Sequence, residues 1–210
     1  MLIPFLTIFS SQALADDDKT IHIACVGDST TFGMNIKDRK NLSYPAQLQQ
    51  LLGEGYVVGN FGANGATAIR TTPKREPYIT RDVYQQSLES QPDMVILTLG
   101  ANDSKARFWN EQQYQKDLTL LLEEYLALTP IVLLGLPAPA FNQPGKWDVN
   151  EANLARARIL VRKLADEYHL GVVDFHLSLQ DEALFQADGV HPNRHGAQKM
   201  ALAVKSHLGV

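Results

Sequence analysis

The sequence predicts a doubly wound α/β fold, in which helices cover both faces of a parallel β-sheet. Short apolar runs rich in Val, Ile and Leu recur along the 210 residues with little polar alternation, as in strands buried on both faces. Amphipathic segments of helical length lie between these runs, so that strand and helix alternate along the chain. Parallel strands connected in this way are joined by right-handed crossovers.

The predicted strands are the apolar runs themselves. Cys25, the only cysteine, lies inside the first run, where a free thiol is expected to behave as a small buried hydrophobe. In chain order the five predicted strands are Ile21–Val26, Tyr56–Phe61, Met94–Leu99, Ile131–Leu136 and Gly171–Phe175.

The predicted helices are delimited by their start and stop signals. Gly53 is a C-cap signal for the first long helix, and Pro130 stops another because the residue before proline disfavours helix. Asp148, with Glu151 three positions later, predicts a capped helix start. The predicted helices are 43–53, 81–89, 110–130, 148–171 and 193–208.

Composition limits the class of protein. With 45% hydrophobic and 20% charged residues, the chain can form one sizeable core, and we expect a single domain over residues 16–210. The net charge of -4, without a Lys/Arg block, argues against nucleic acid as a partner.

The first 15 residues have the pattern of a secretory signal peptide. They carry no charged side chain and end in Ala13-Leu14-Ala15, a typical cleavage pattern, although Lys and Arg are missing from the start. The apolar run is shorter than the roughly 20 residues of a membrane span. We therefore expect cleavage after Ala15, a periplasmic or extracellular mature chain and no stable membrane insertion. The alternative is a short buried or anchoring segment.

Polar clusters follow four of the predicted strands. Because the carboxyl ends of parallel strands meet at one edge of a sheet, these clusters should lie close together, where open α/β sheets bind ligands. The clusters are Gly27-Asp28-Ser29, the glycine-rich stretch 60–67, Asn102-Asp103 and, beyond a short connector, Asp188 with His191.

These residue types suit nucleophilic catalysis. Ser29 is a weak nucleophile unless a base takes its proton, and His191 can act as that base near neutral pH. Asp188, three residues before His191, can hold the imidazole in one tautomer. The backbone N–H groups of Ser29 and Gly65 and the side-chain amide of Asn102 are candidate donors to an oxyanion.

Each of these residues also has a simpler interpretation. Ser29 can be a helix N-cap, and Asp188-Gly189 is a common turn pair. A metal site at His191 and His195 is disfavoured because further closely spaced ligands are absent. The G-x-S-x-G pattern of α/β-hydrolases, H-E-x-x-H and a phosphate-binding P-loop are all missing.

The four clusters in this order resemble the SGNH hydrolase superfamily, also called GDSL esterases and lipases. The likeness spans nearly the whole mature chain, and Thr30 is a small departure because the family has Leu or Ile after the serine. It implies a three-layer α/β/α, flavodoxin-like fold with a five-stranded parallel sheet, and ester hydrolysis without metal or cofactor. By this resemblance, Ser29 is expected to be the nucleophile, His191 the base and Asp188 the carboxylate that orients the base. Ser29 N–H, Gly65 and Asn102 form the oxyanion hole, with Gly62 as the alternative glycine.

The residues of the long loops bear on the substrate. Polar and aromatic residues in the long loops suit a sugar, and the stretches 43–67 and 99–105 resemble bacterial carbohydrate O-acetylesterases. We expect a secreted esterase that removes short acyl groups, O-acetyl groups of a glycan or small molecule. The alternatives are a lysophospholipase or thioesterase for longer acyl chains and an inactive glycan-binding module. Expected substrate contacts are Asp28, Arg70, Trp109 and Trp147.

Overall fold

A computed structural model describes residues 20–73, 77–141 and 147–210. Five parallel strands form one sheet in the order β2-β1-β3-β4-β5, which confirms the predicted α/β class and strand number. The strands are β1 (Ile21–Gly27), β2 (Tyr56–Gly62), β3 (Met94–Thr98), β4 (Val132–Leu136) and β5 (Gly171–Asp174).

Helices cover both faces of this sheet. On one face, α4 to α6 pack on alternate strand residues such as Ala24 and Val26; on the other, α3 and α8 pack on Ile23 and Cys25. The protein is therefore a three-layer α/β/α sandwich with two apolar layers. The helices are α1 (Ser29–Phe32), α2 (Arg39–Leu42), α3 (Tyr44–Leu52), α4 (Asp82–Glu89), α5 (Glu111–Leu126), α6 (Glu151–Tyr168), α7 (Phe175–Ser178) and α8 (Arg194–Leu208).

Several predicted boundaries differ from the structure, among them the end of the helix predicted over 110–130, which stops at Leu126, and two of the differences have clear local reasons. Asp148 does not cap α6, because its backbone is left-handed (φ 57) and Asn150 caps the helix by accepting from Asn153 N at 3.0 Å. The fifth strand stops before Phe175, because Asp174 accepts from Leu177 N at 2.7 Å and starts α7. An Asx cap thus competes locally with extended backbone.

The expected cleavage site after Ala15 lies outside the described residues. Within the described ranges, none of the helices combines the length and apolar character that a membrane span requires.

Candidate active site

The end of β1 carries Ser29 onto the rim of the sheet. Ser29 is the first residue of α1, and Asp28 caps this short helix by accepting a hydrogen bond from Thr30 N at 2.9 Å. The turn is tightly packed, since a Cβ on Gly27 would overlap the Thr31 side chain. The N-cap of α1 is therefore Asp28 and not Ser29, as the simpler interpretation had it, which leaves the Ser29 hydroxyl free for another partner.

Asp188 and His191 come from a tight turn before α8. Asp188 Oδ1 accepts from the backbone N–H groups of Val190 and His191, both at 3.0 Å. Gly189 has a left-handed backbone (φ 67), which residues with a Cβ rarely adopt. This turn therefore holds the Asp188 carboxylate in place independently of its contact with the imidazole.

The structure joins Ser29, His191 and Asp188 in one hydrogen-bonded chain. His191 Nε2 lies 2.9 Å from Ser29 Oγ, and His191 Nδ1 lies 2.8 Å from Asp188 Oδ2. A carboxylate only accepts, so Nδ1 carries the proton and Nε2 is free to accept from the hydroxyl. All three side chains are buried, with His191 only 3% exposed.

Asp188 is held in its charged form. Burial by itself raises the pKa of this carboxyl, but the hydrogen bonds from the backbone and imidazole of His191 and from Val190 N outweigh it. The pKa of Asp188 therefore lies below its usual value. An ionised carboxylate can orient a neighbouring imidazole.

The loop after β2 holds Gly65 in a turn that is tied to the end of β1. Ala63 N donates to Gly27 O at 2.9 Å, which ties the loop to the end of β1. Ala66 N donates to Ala63 O at 3.1 Å and closes a turn around Gly65, whose φ of 77 is left-handed. Asn102 donates one side-chain N–H to Ala66 O at 3.1 Å.

Gly62, the alternative glycine, is occupied structurally. Its N–H donates to Asn60 Oδ1 at 3.0 Å, and a Cβ on it would overlap the backbone of Phe32. Glycine at this position therefore allows α1 to pack on β2. Of the two candidates, Gly65 is the one whose turn faces Asn102.

Of the expected substrate contacts, Trp147 lies beside His191, whereas Arg70 and Trp109 have partners elsewhere. Trp147 packs against His191 with ring centroids 5.2 Å apart at 84°. Arg70 lies elsewhere, since its guanidinium donates to Glu124 Oε1 at 2.8 Å in the last turns of α5. Trp109 packs on Tyr114 at the edge of the core, with ring centroids 5.6 Å apart.

Asp28 is buried next to Ser29. Burial raises its pKa, while Thr30 N and the nearby His191 and Lys105 favour the charged form. Asp28 and Thr30, on either side of Ser29, line a small cavity that also reaches Val190, the neighbour of His191.

Two residues of this region were not anticipated from the sequence. Asn35 donates a side-chain N–H to Asp188 Oδ2 at 3.4 Å across 153 positions of the chain. Asp103 is fully buried and accepts from Ile69 N at 2.8 Å. The sequence marks Asn102-Asp103 as one polar cluster, but no local pattern indicates which loop Asp103 contacts.

His195, the second histidine of the metal alternative, has a surface partner. It is exposed, and its Nε2 lies 3.2 Å from Arg194 Nε. In residues 20–73, 77–141 and 147–210, no group of three or more His, Cys, Asp or Glu side chains is placed to hold a metal ion.

Comparison with known proteins finds the same family over most of the chain. Residues 25–199 match the model of the GDSL-like lipase/acylhydrolase family. An acetylxylan esterase from Xylanibacter ruminicola is 34% identical over 209 residues, covering 89% of this chain and 43% of the relative. A multidomain esterase from Ruminococcus flavefaciens is 26% identical, covering 91% of this chain and 29% of the relative. The chain thus spans less than half the length of these curated relatives.

A solved structure supports the fold. A carbohydrate acetylesterase from Sinorhizobium meliloti superposes with a TM-score of 0.75 at 20% identity, covering 91% of this chain and 100% of the other. At this identity the likeness concerns the arrangement of the sheet and helices.

Proposed function

The chain belongs to the GDSL-like lipase/acylhydrolase family, and we propose that it is a serine esterase that removes short acyl groups, chiefly O-acetyl groups of a carbohydrate. The observation that carries this proposal is the hydrogen-bonded chain from Ser29 Oγ through His191 to Asp188, with distances of 2.9 and 2.8 Å. This order provides a nucleophile, its base and the carboxylate that orients the base.

Acylation begins with attack by Ser29 Oγ on the ester carbonyl carbon. His191 Nε2 takes the hydroxyl proton, and Asp188 stabilises the resulting imidazolium. The tetrahedral intermediate then collapses: the C–O bond to the alcohol breaks, and His191 returns the proton to the leaving oxygen. Water attacks the acyl-serine in a second round of the same steps, releasing the carboxylic acid and free Ser29.

Three N–H groups are proposed to stabilise the oxyanion. Ser29 N–H opens α1 and has no acceptor within the helix, as in the first turn of any helix. Gly65 N–H and the second side-chain N–H of Asn102 belong to segments joined by the contact from Asn102 to Ala66 O. Such donors typically contribute about 3–4 kcal/mol each when they are preorganised. Gly62 is a poorer candidate, because Asn60 already accepts its N–H.

We propose that the acyl group enters a small cavity whose walls include Asp28 and Thr30, the two neighbours of Ser29 in sequence. Its volume is about 20 Å³, close to the space of a single water, and it is lined mainly by apolar side chains. A methyl group suits this space, whereas an octanoyl chain would require the walls to move. Its walls include Thr30, Ala101, Pro137, Pro139, Leu154 and Val190.

The carbohydrate part of the proposal rests on the relatives and on Trp147. The first relative is named an acetylxylan esterase and the structural neighbour a carbohydrate acetylesterase. In this chain Trp147 lies against His191, beside the position of the leaving oxygen. Aromatic rings pack on the apolar faces of sugars, so this position suits a sugar alcohol as leaving group.

Export is proposed on the pattern of residues 1–15 alone. In a bacterial host, the mature protein should appear in the periplasm or medium with Asp16 as its first residue. N-terminal sequencing of the exported protein tests this, and a retained Met1 contradicts it.

The function is tested with p-nitrophenyl acetate, p-nitrophenyl octanoate and acetylated xylan. Wild type should hydrolyse the acetate ester well and the octanoate ester poorly, and should release acetate from the polymer. Ser29→Ala should fall to background, while Ser90→Ala, the same change at the end of α4, should retain activity.

Each other outcome assigns a different function. Faster hydrolysis of octanoate indicates a lysophospholipase or thioesterase. Binding of xylan without turnover indicates a glycan-binding module. Unchanged activity of Ser29→Ala refutes the catalytic assignment itself.

A further inference from the structure

The loop that carries Gly65 has no strand or helix of its own to fix it. It extends from the end of β2 to Arg70, and its backbone N–H groups must find acceptors outside a regular ladder. Two buried carboxylates supply acceptors for the last two of these N–H groups. Asp103 Oδ1 accepts from Ile69 N at 2.8 Å, and Asp117 Oδ2 accepts from Arg70 N at 2.7 Å.

These two contacts differ in their distance from the proposed oxyanion site. Asp117 lies in the middle of α5 and also accepts from Gln113 Nε2 at 2.8 Å. Asp103 follows directly after Asn102, whose amide donates to Ala66 O at 3.1 Å. The neighbouring side chains of Asn102 and Asp103 therefore hold the loop at Ala66 and at Ile69.

Asp103 is poorly solvated for a carboxyl group. It is fully buried, and among the described residues its Oδ2 atom has no hydrogen-bond partner. Burying a carboxyl in this way is unfavourable, so a purely apolar residue would pack here at lower cost. An apolar residue, however, would not provide an acceptor for Ile69 N.

We propose that Asp103 is a positioning residue for ester hydrolysis, which holds the segment from Ala66 to Ile69 so that Gly65 N–H and the Asn102 amide face the same oxyanion. This proposal rests on the proposed function. Asp103 does not touch the reacting atoms; it acts through the backbone of the loop. Without its acceptor, the loop loses one of two attachments to the segment after β3, and the donors lose their common geometry.

The test compares Asp103→Ala, Asp103→Asn and a control of similar burial. Asn keeps an oxygen acceptor for Ile69 N, whereas Ala removes it. Thr129→Val is the control, because Thr129 is buried and bonds Asp93 O at 2.6 Å at the opposite edge of the sheet. It should lower stability without altering the loop.

The measurements are kcat and KM for p-nitrophenyl acetate and the inhibition constant of a small alkylboronic acid. Such an acid forms a tetrahedral adduct with the serine, with an oxygen in the oxyanion site. In Asp103→Ala, kcat should fall about 10- to 100-fold and boronate affinity should fall in parallel, because removal of a single donor typically costs about 10²–10³-fold. KM should change by less than about threefold, and Asp103→Asn should stay within about fivefold of wild type.

The proposal is refuted if Asp103→Ala loses no more kcat and boronate affinity than Thr129→Val. If the Ala variant does not fold, Asp103→Ser replaces it, since the shorter hydroxyl cannot span the distance to Ile69 N; wild-type kcat and boronate affinity in that variant also refute it. Ser29→Ala, measured alongside, distinguishes failure of the proposed function from failure of the positioning role. If it remains active, the proposed function fails; if it is inactive while the Asp103 variants match the control, only the positioning role fails.

Discussion

The ionisation of Asp103 should make folding stability fall as pH rises. Burial raises the pKa of this carboxyl from its usual 3.8 to about 7, with the charge of Asp28 adding to the rise and Ile69 N opposing it. Between these two values the folded protein holds a proton that the unfolded chain has released. Stability from this group is therefore complete below about pH 4 and is lost as pH rises through 7.

The size of the effect follows from the shift. Each pH unit over which one extra proton is held changes the free energy of unfolding by about 1.36 kcal/mol. From pH 5 to about pH 7, a span of two pH units, the folded protein holds that proton on Asp103. The contribution of Asp103 to the free energy of unfolding should therefore fall by about 3 kcal/mol between pH 5 and pH 8. Asp103→Asn cannot ionise and lacks this loss.

The assay is urea unfolding of wild type and Asp103→Asn at pH 5, 6, 7 and 8. Other titrating groups contribute to both proteins, so the informative quantity is the difference between the two free energies of unfolding. That difference should shift by about 3 kcal/mol in favour of Asn from pH 5 to pH 8. Thr129→Val, which removes no titratable group, should differ from wild type by the same amount at every pH. A difference for Asp103→Asn that stays constant would refute the reasoning that burial dominates this carboxyl.

Three further predictions concern the site and its support. Asp188→Asn should lower kcat/KM about 10³- to 10⁴-fold, because the amide cannot hold the imidazole in the required tautomer; steady-state kinetics checks this. Gly62→Ala should lower the free energy of unfolding by about 1–3 kcal/mol, because its Cβ would overlap the Phe32 backbone, whereas Gly55→Ala, with open space around it, should be nearly neutral in urea unfolding. Asn35→Ala should reduce kcat/KM only about two- to fivefold, because its 3.4 Å hydrogen bond is the longer of the two that Asp188 Oδ2 accepts. A larger loss would mean that Asn35 does more than support that carboxylate.

The sequence was sufficient to predict that the proposed catalytic residues meet. Strand ends are marked by apolar runs, and parallel topology brings their carboxyl ends to one edge. Ser29 and His191 are 162 positions apart, yet each follows a strand, so no side-chain detail is needed to expect them together. The Asp188–His191 pairing is local, since a turn of three residues sets it.

Other features depended on contacts between loops that no local pattern specifies. Arg70 belongs to the long loop after β2, but its guanidinium pairs with Glu124 on α5 instead of joining the candidate site. Asp103 bonds Ile69 across 34 positions, and Asn35 reaches Asp188 across 153. These partners depend on the packing of irregular segments, where neither helical nor strand periodicity applies.

The structure also explains why Asp188, and not Asp28, serves as the partner of His191. Asp28 is adjacent to the nucleophile, and its carboxyl is close enough for His191 to favour its charged form. Its side chain is committed to capping α1, and burial raises its pKa, so its charge is disfavoured. Asp188 accepts two backbone N–H groups besides the imidazole, and these hydrogen bonds lower its pKa in spite of burial. A base that becomes an imidazolium needs a partner that is already charged before the proton moves. The backbone turn that supplies those two N–H groups is thus part of the proposed catalytic arrangement, because it keeps the Asp188 carboxylate ionised and aimed at His191 Nδ1.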